Sequence, residues 1–161
     1  MKADRKLIVE TPSDLEIVLK RQFDAPRAAV FRALIEPALL RRWMLGPPGW
    51  TMTVCEIDLR VGGSFRYAWK DTDGTEMAMR GMYREIVVPE RIVNTEQFEF
   101  GCETQASEQI GTAVLAEANG VTTLMTTILY PSKEARDGTI ACGMEMGVAA
   151  GYERLDGVLA A

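Results

Sequence analysis

The first 50 residues change from a strand-like to a helix-like hydrophobic pattern. From Leu15 to Phe23 every second residue shares one face, which is apolar except for Arg21, and this alternation predicts a strand. Asp24-Ala25-Pro26 predicts a helix start, because proline loses nothing by lacking an N–H at a helix N-terminus. Pro37 begins a second short helix, which the Gly46-Pro47-Pro48-Gly49 sequence ends.

Six further strands separated by turn signals follow. Strands are predicted at 50–61, 64–70, 75–88 and 91–100, and the last two flank a turn at 118–120. Asp73-Gly74 predicts a hairpin turn, because both residues tolerate a positive φ. Period-two spacing groups the large apolar side chains of two neighbouring strands on a shared face: Phe65, Tyr67, Trp69, Met77, Met79 and Tyr83.

The period changes to about 3.6 residues after Pro131, which predicts a long C-terminal helix capped by Ser132 and bent near Gly138. Its apolar face is predicted to contain Ile140, Met144, Val148, Leu155 and Leu159. Glycines at 143, 147 and 151 repeat every fourth residue. This spacing indicates close approach to the sheet or the preservation of cavity volume.

The element order predicts an α+β protein of the form β-α-α-β6-α. Consecutive antiparallel strands twist and curve, so a curved antiparallel sheet should wrap around the C-terminal helix. A single helix seldom fills a curved sheet, which favours an apolar cavity between them. We expect residues 1–14 to form an N-terminal arm, with 7–9 pairing at a sheet edge, and residues 15–161 to form one domain.

Composition narrows the chemistry. The 161 residues include no histidine, which excludes imidazole-based catalytic triads and His-ligated metals. The net charge of −5 argues against nucleic acid as a partner. Cys55, Cys102 and Cys142 are an odd number of widely separated cysteines, which fits neither a disulfide framework nor a CxxC metal site, so we expect a reducing, cytoplasmic location. No signal peptide or membrane span is visible, and no membrane partner is expected.

Nine short segments carry a resemblance to a known family. They are RQFDAP (21–26), WMLGPPGW (43–50), DLRVGG (58–63), DGTEM (73–77), GMYREI (81–86), PERIV (89–93), SKEARD (132–137), GME (143–145) and YERLD (152–156). Their types and order resemble the helix-grip (SRPBCC) superfamily of START-like and Bet v 1-like proteins. Within it, the chain resembles the branch related to the C-terminal domain of the Hsp90 ATPase activator. The resemblance covers about residues 15–160.

The resemblance implies the helix-grip fold more strongly than it implies one function. Relatives carry lipids, sterols or plant hormones in the cavity, and some cyclise polyketides. One confers resistance to an enediyne antibiotic. The eukaryotic Hsp90 activator carries an additional N-terminal domain for which this chain has no room, so chaperone activation is not expected from the resemblance.

The candidate ligand-binding residues combine the apolar inner face with two buried charges. They are Arg21, Phe31, Trp43, Phe65, Tyr67, Trp69, Met77, Met79, Tyr83, Glu96, Phe98, Met144 and Val148. The apolar members are consistent either with a packed core or with a cavity lining. Arg21 either pairs with a buried carboxylate or orients a polar ligand group. A desolvated Glu96 or Glu145 would have a raised pKa suited to acid–base chemistry.

Three functional hypotheses follow. The first is non-catalytic binding of an apolar or amphipathic small molecule, lipid-like or an aromatic metabolite, between the sheet and the C-terminal helix. It requires no cofactor, metal or catalytic residue. The second is a polyketide cyclase-like or hydrolase-like enzyme that uses a carboxylate with Arg21 or Tyr83. The third is a protein-interaction module that docks through a sheet edge or the 46–50 loop, with a homodimer as one form.

Overall fold

The alternating segments form strands of one curved antiparallel sheet. The computed structural model describes residues 3–100 and 107–161. Its strands are β1 (Ile8–Glu10), β2 (Glu16–Phe23), β3 (Thr51–Ile57), β4 (Ser64–Lys70), β5 (Glu76–Val87), β6 (Arg91–Phe100), β7 (Gln109–Ala118) and β8 (Val121–Leu129). Its helices are α1 (Arg27–Ile35), α2 (Pro37–Trp43), α3 (Lys133–Ala141) and α4 (Met144–Ala160).

The sheet order is β1-β2-β8-β7-β6-β5-β4-β3, and every neighbouring pair is antiparallel. Strands β3 to β8 therefore form a meander, and β2 closes against β8. The predicted α+β helix-grip fold is confirmed. The arm contributes β1, in which Val9 lies opposite Leu19 at the sheet edge, as the 7–9 pattern indicated.

Two turns follow their predicted chemistry. Asn119 and Gly120 both adopt positive φ, 53° and 77°, between β7 and β8, which is the geometry of a two-residue hairpin turn. Gly74 has a φ of 85° in the β4–β5 turn, where Asp71 accepts hydrogen bonds from the backbone of Asp73 and Thr75. These turns set the pairing register of the strands around the cavity.

The C-terminal helix is divided in a different place from the one predicted. Residue Gly138 lies within α3, and the break falls at Cys142 and Gly143, where Gly143 adopts a left-handed φ of 84°. Ile140 therefore belongs to α3 and is 43% exposed, so the predicted continuous apolar face from Ile140 to Leu159 is wrong at its start. Ser132 caps α3 as predicted, accepting a hydrogen bond from the Ala135 N–H.

The main core lies between α1, α2, α4 and the concave face of the sheet. Phe23 from β2, Phe31 from α1, Leu40 from α2 and Leu155 from α4 are at most 1% exposed within it. A smaller cluster around Ile17 and Tyr130 packs beneath α3. Several members of this core, including Tyr83 and Tyr152, also border the cavity described below, so the core and the cavity adjoin.

Candidate functional site

A cavity of about 450 Å³ lies between the concave face of the sheet and the N-terminal half of α4. Strands β4 to β8 form its floor, and α4 with the segment after α2 forms its roof. The lining is predominantly apolar and comprises Leu34, Trp43, Met44, Leu45, Gly46, Pro47, Trp50, Phe65, Tyr67, Trp69, Met77, Met79, Tyr83, Ile92, Asn94, Glu96, Phe98, Gly111, Ala113, Leu124, Thr126, Cys142, Gly143, Met144, Gly147, Val148, Gly151 and Tyr152.

Four aromatic side chains from β4 and β5 form one wall of the cavity. The ring centroid of Phe65 lies 5.0 Å from Tyr67 and 5.3 Å from Tyr83, and Tyr67 lies 6.0 Å from Trp69. These distances fall within the range at which tilted aromatic rings attract one another. The wall is thus a connected set of rings in mutual contact.

Hydrogen bonds hold the 44–50 segment over the opposite side. The Trp69 indole N–H donates to the Met44 carbonyl oxygen at 2.7 Å, and Arg154 of α4 donates to the Gly46 carbonyl oxygen at 2.6 Å. The Trp43 indole N–H donates to the Ala33 carbonyl oxygen at 2.9 Å. Through these bonds the segment is fixed to both the sheet and α4.

Two glycines of α4, Gly147 and Gly151, face this segment and the end of α2. A Cβ at Gly147 would lie 3.6 Å from Pro47 Cδ, and one at Gly151 would lie 3.3 Å from the Trp43 carbonyl oxygen. The close approach predicted from the glycine spacing is therefore made to α2 and the following segment, and the expectation that it is made to the sheet is wrong. Both glycines also border the cavity, where a larger side chain would reduce its volume.

Glu96 supplies the polar end of the cavity. Its Oε1 accepts a hydrogen bond from Gln109 Nε2 at 3.0 Å, and Asn94 Nδ2 lies 3.4 Å from Oε2. Burial raises the pKa of the Glu96 carboxyl, and the two amide donors partly oppose that increase because they stabilise the ionised form. Gln109 is only 2% exposed, and among the described residues its Oε1 finds no partner. The Gln109 side chain is thus oriented so that its NH2 group donates to the carboxylate. Its own buried carbonyl oxygen is left without a hydrogen bond among the described residues.

The tyrosines of the cavity are held in their neutral form. Burial raises the pKa of Tyr83 and of Tyr152 to about 12. Burial also raises the pKa of Tyr67 well above its usual value, and the nearby Tyr83 hydroxyl adds to this effect. The three phenols therefore offer neutral hydroxyl groups at physiological pH.

Most of the predicted site residues meet at this cavity. Trp43, Phe65, Tyr67, Trp69, Met77, Met79, Tyr83, Glu96, Phe98, Met144 and Val148 all border it. Phe31 does not, because α1 directs it into the packed core, where it is 1% exposed. Glu145 is exposed on α4, so the prediction that it faces inward is wrong.

Arg21 is also absent from the cavity lining. Its guanidinium forms a two-pronged ion pair with Asp156 of α4, with N–O distances of 2.8 and 2.6 Å, and its side chain is 2% exposed. The guanidinium also lies 4.8 Å from the centre of the Phe23 ring. Of the two roles that the sequence left open, the structure shows the buried ion pair.

The cysteine prediction needs one correction. Cys142, which borders the cavity at the α3–α4 junction, is disulfide-bonded, whereas Cys55 is free and buried in β3. Separation along the sequence does not limit proximity in the folded chain, so spacing alone was a poor guide here. Cys102 lies outside the described residues.

Sequence reasoning missed several lining residues that carried a signal. Asn94 shares the two-residue period of Glu96 and Phe98 on β6, and Tyr152 continues the four-residue spacing of Met144 and Val148 on α4. Gly111 carried no such signal. Its role is visible only in three dimensions, because a Cβ there would lie 3.0 Å from Glu96 Oε2.

The described part of the chain contains no helix with the length and apolar character needed to cross a membrane.

Comparisons with known proteins agree with this architecture. A structure from Rhodobacter sphaeroides is 28% identical and superposes with a TM-score of 0.86 over 95% of this chain and 97% of its own. One from Chromobacterium violaceum, also 28% identical, has a TM-score of 0.75 over 89% and 96% of the two chains. An AHSA1-like protein from Aeromonas hydrophila, 18% identical, shares the fold with a TM-score of 0.70 over 89% and 94%. No curated protein matches the chain.

The family comparison is more specific. The sequence model of the family described as "Activator of Hsp90 ATPase homolog 1-like protein" matches residues 24–160, from the end of β2 to the end of α4. Folds of this kind generally serve in ligand binding or chaperone activation. The chain belongs to the family of activator of Hsp90 ATPase homolog 1-like proteins.

Proposed function

We propose that this protein binds an apolar or amphipathic small molecule in the cavity between the sheet and α4, without catalysing its conversion. The observation that carries the proposal is the cavity of about 450 Å³ with its mostly apolar lining. Pockets that take small molecules have this size and character, with a few polar groups that fix orientation.

The cavity is open to solvent, so it is filled either by water or by a ligand. At about 24 cal/mol per Å³, the upper guide from engineered cavities, a dry void of this size would cost about 11 kcal/mol. That cost is comparable with the whole stability of a typical domain, about 5–15 kcal/mol. A ligand with an apolar body would restore the missing contacts and bury the aromatic wall from water.

The groups around the cavity favour binding over turnover. Among the described lining residues, Glu96 is the single carboxylate, and the tyrosines keep their protons at neutral pH. Among the described residues, the hydrogen-bond partners of the Glu96 carboxyl are two amide groups, and none is a serine, threonine or cysteine side chain. General acid–base catalysis normally needs a second group that completes the proton transfer.

Tryptophan fluorescence offers a direct test, because all three tryptophans of the chain, Trp43, Trp50 and Trp69, border the cavity. We expect 1-decanol, which does not absorb in the tryptophan range, to change their emission with a saturable dependence on concentration. The Ala113→Phe variant should lose this response, because residue 113 borders the cavity. Ala116→Phe makes the same change at an exposed position of β7 and should keep the response.

Two further observations complete the test. The protein purified from its native host should release a co-purifying small molecule on denaturation, identifiable by mass spectrometry. Equal responses of the two phenylalanine variants to 1-decanol would contradict binding in this cavity. Chemical conversion of the released molecule by the purified protein would contradict the non-catalytic role and favour a carboxylate-based enzyme.

A further inference from the structure

The cavity is electrostatically one-sided. Among the described residues that line it, Glu96 is the only charged side chain, and none is a lysine or arginine. Two nearby arginines bind other groups: Arg21 pairs with Asp156, and Arg154 donates a hydrogen bond to the Gly46 carbonyl oxygen. Among these lining residues, a ligand therefore meets one carboxyl group and no cation.

Glu96 also retains hydrogen-bonding capacity toward the cavity. A carboxylate offers about four lone-pair positions. Gln109 occupies one at 3.0 Å, and Asn94 approaches a second at the long distance of 3.4 Å. Among the described residues no third donor is bonded to Glu96, which leaves acceptor positions for a group inside the cavity.

Gly111 preserves the space around this carboxyl group. A Cβ at position 111 would lie 3.0 Å from Glu96 Oε2 and 3.3 Å from its Cδ. Any side chain there would press on the carboxyl group from the neighbouring strand. Three residues therefore fix the orientation of Glu96. The Asn94 and Gln109 amides hold the carboxyl group, and Gly111 leaves room for it.

We propose that the cavity selects amphipathic molecules whose head group donates a hydrogen bond to Glu96, namely alcohols and amines, and discriminates against those with an anionic head. This inference rests on the proposed function and specifies the ligand class. The apolar body would lie against the Phe65–Trp69 wall. An anionic head would face the Glu96 carboxyl with no cation to pair with among the described lining residues, in a chain whose net charge is −5.

The test compares three probes with the same alkyl chain and different heads: 1-decanol, decylamine and decanoate. Dissociation constants are measured at pH 7.5 by tryptophan fluorescence and calorimetry on the wild-type protein, Glu96→Gln and Glu99→Gln. Glu99 lies on the same strand but pairs with Arg66 at 2.7 Å and does not line the cavity, so Glu99→Gln is the matched control.

We expect the wild-type protein to bind 1-decanol and decylamine at least tenfold more tightly than decanoate. Glu96→Gln should weaken decylamine binding about tenfold to 100-fold, the range for a hydrogen bond to a charged group, and should narrow the difference from decanoate. Glu99→Gln should leave all three affinities unchanged. The comparison of probes on the wild-type protein stands even if a variant folds poorly.

The failures are distinguishable. If decanoate binds as tightly as 1-decanol, or if Glu96→Gln leaves decylamine binding unchanged, the head-group inference is overturned while ligand binding in the cavity stands. If none of the three probes binds the wild-type protein, the proposed function is overturned as well.

Discussion

At the scale of single residues, Glu96 is a carboxyl group whose desolvation is only partly offset by the hydrogen bonds that it accepts. The side chain is half-buried at the edge of the cavity, and among the described residues only neutral amides donate to it. The ionisable groups that sense its charge are the phenols of Tyr67, Tyr130 and Tyr152, whose pKa values burial raises, so they remain neutral through the acidic and neutral range. The carboxyl therefore carries a net cost of ionisation in the folded state.

This cost predicts a pH dependence of stability. Because the pKa of Glu96 is raised in the folded protein, the folded state binds more protons than the unfolded state above about pH 4.5. The Glu96 contribution should therefore make the free energy of unfolding fall as pH rises from the ordinary carboxyl pKa through the raised one. Each tenfold difference in proton affinity contributes about 1.4 kcal/mol. Urea titrations of wild type and Glu96→Gln between pH 4 and 8 measure the difference.

Glu96→Gln removes the titrating group with little change of shape, so its stability advantage over the wild type should grow with pH. Contributions from other carboxyl groups cancel in that difference. The exposed Asp137 and Glu36, whose pKa values are lowered by Arg or Lys partners, act in the opposite sense and affect both proteins alike. A difference that stays constant across the range would show that Glu96 has an ordinary pKa.

At the scale of elements, a buried ion pair ties the C-terminal helix to the sheet. Arg21 of β2 and Asp156 of α4 are 2% and 12% exposed. Removing one partner leaves an unpaired buried charge, so Asp156→Ala should lower the free energy of unfolding by about 3–5 kcal/mol. Because neither residue borders the cavity, the affinity for 1-decanol should be unchanged in the fraction that is folded. Urea denaturation measures the loss.

The double variant Arg21→Met, Asp156→Leu provides the companion measurement. Replacing both charges with apolar side chains avoids the unpaired charge and should recover most of the lost stability. Glu36→Gln breaks the exposed Arg32–Glu36 pair of α1 and should have no measurable effect. If Asp156→Ala is as mild as Glu36→Gln, the pair does not hold α4 in place.

Alanine substitutions at two glycines of α4 should change the free energy of unfolding differently. A Cβ at the exposed Gly157 meets nothing within 4 Å, so Gly157→Ala should raise the free energy of unfolding by about 0.5–1 kcal/mol through helix propensity. At Gly151 the added methyl would lie 3.3 Å from the Trp43 carbonyl oxygen and press α2 away from α4. Gly151→Ala should gain nothing or lose stability. Equal stabilisation by both changes in thermal unfolding would refute close α2–α4 packing.

Some element boundaries were readable from the sequence and others were not. Strong alternation and turn residues located the strands and the hairpin at Asn119 and Gly120, because these signals act locally. The helix break could not be placed, because Gly138 and Gly143 look alike in sequence. Only Gly143 adopts the left-handed backbone that ends α3 and redirects the chain into α4.

The same distinction applies to the site. Period-two spacing identified Tyr67, Met79 and Glu96 as inward-facing, and all three border the cavity. Spacing also assigned Arg21 to an inner face, but it does not show which part of a curved sheet the core fills. The partner Asp156 lies 135 residues away along the chain. Sequence patterns thus predicted the face of each residue but could not separate cavity lining from packed core.

At the scale of the whole molecule, stability and binding compete for the same volume. The core around Phe23, Phe31 and Leu155 is closely filled, whereas the space above β4 to β7 is kept open by small residues such as Gly111, Ala113 and Gly147. A side chain that filled this space would gain apolar burial and remove the ligand site together. Ordinary core positions have no such freedom, and adding carbon atoms there costs about 1–3 kcal/mol.

Ala113→Phe separates these two cases. If the cavity receives the ring, the free energy of unfolding should stay within about 1 kcal/mol of the wild type, below the usual cost of overpacking a core. The stabilisation of the folded state by bound 1-decanol should then disappear. At a 1-decanol concentration 100 times its dissociation constant, the wild type and Ala116→Phe should gain about 2.7 kcal/mol, and Ala113→Phe should gain nothing. Urea denaturation with and without 1-decanol measures both quantities. A variant that loses 1–3 kcal/mol yet keeps the ligand-dependent gain would show that position 113 is packed core and that 1-decanol binds elsewhere.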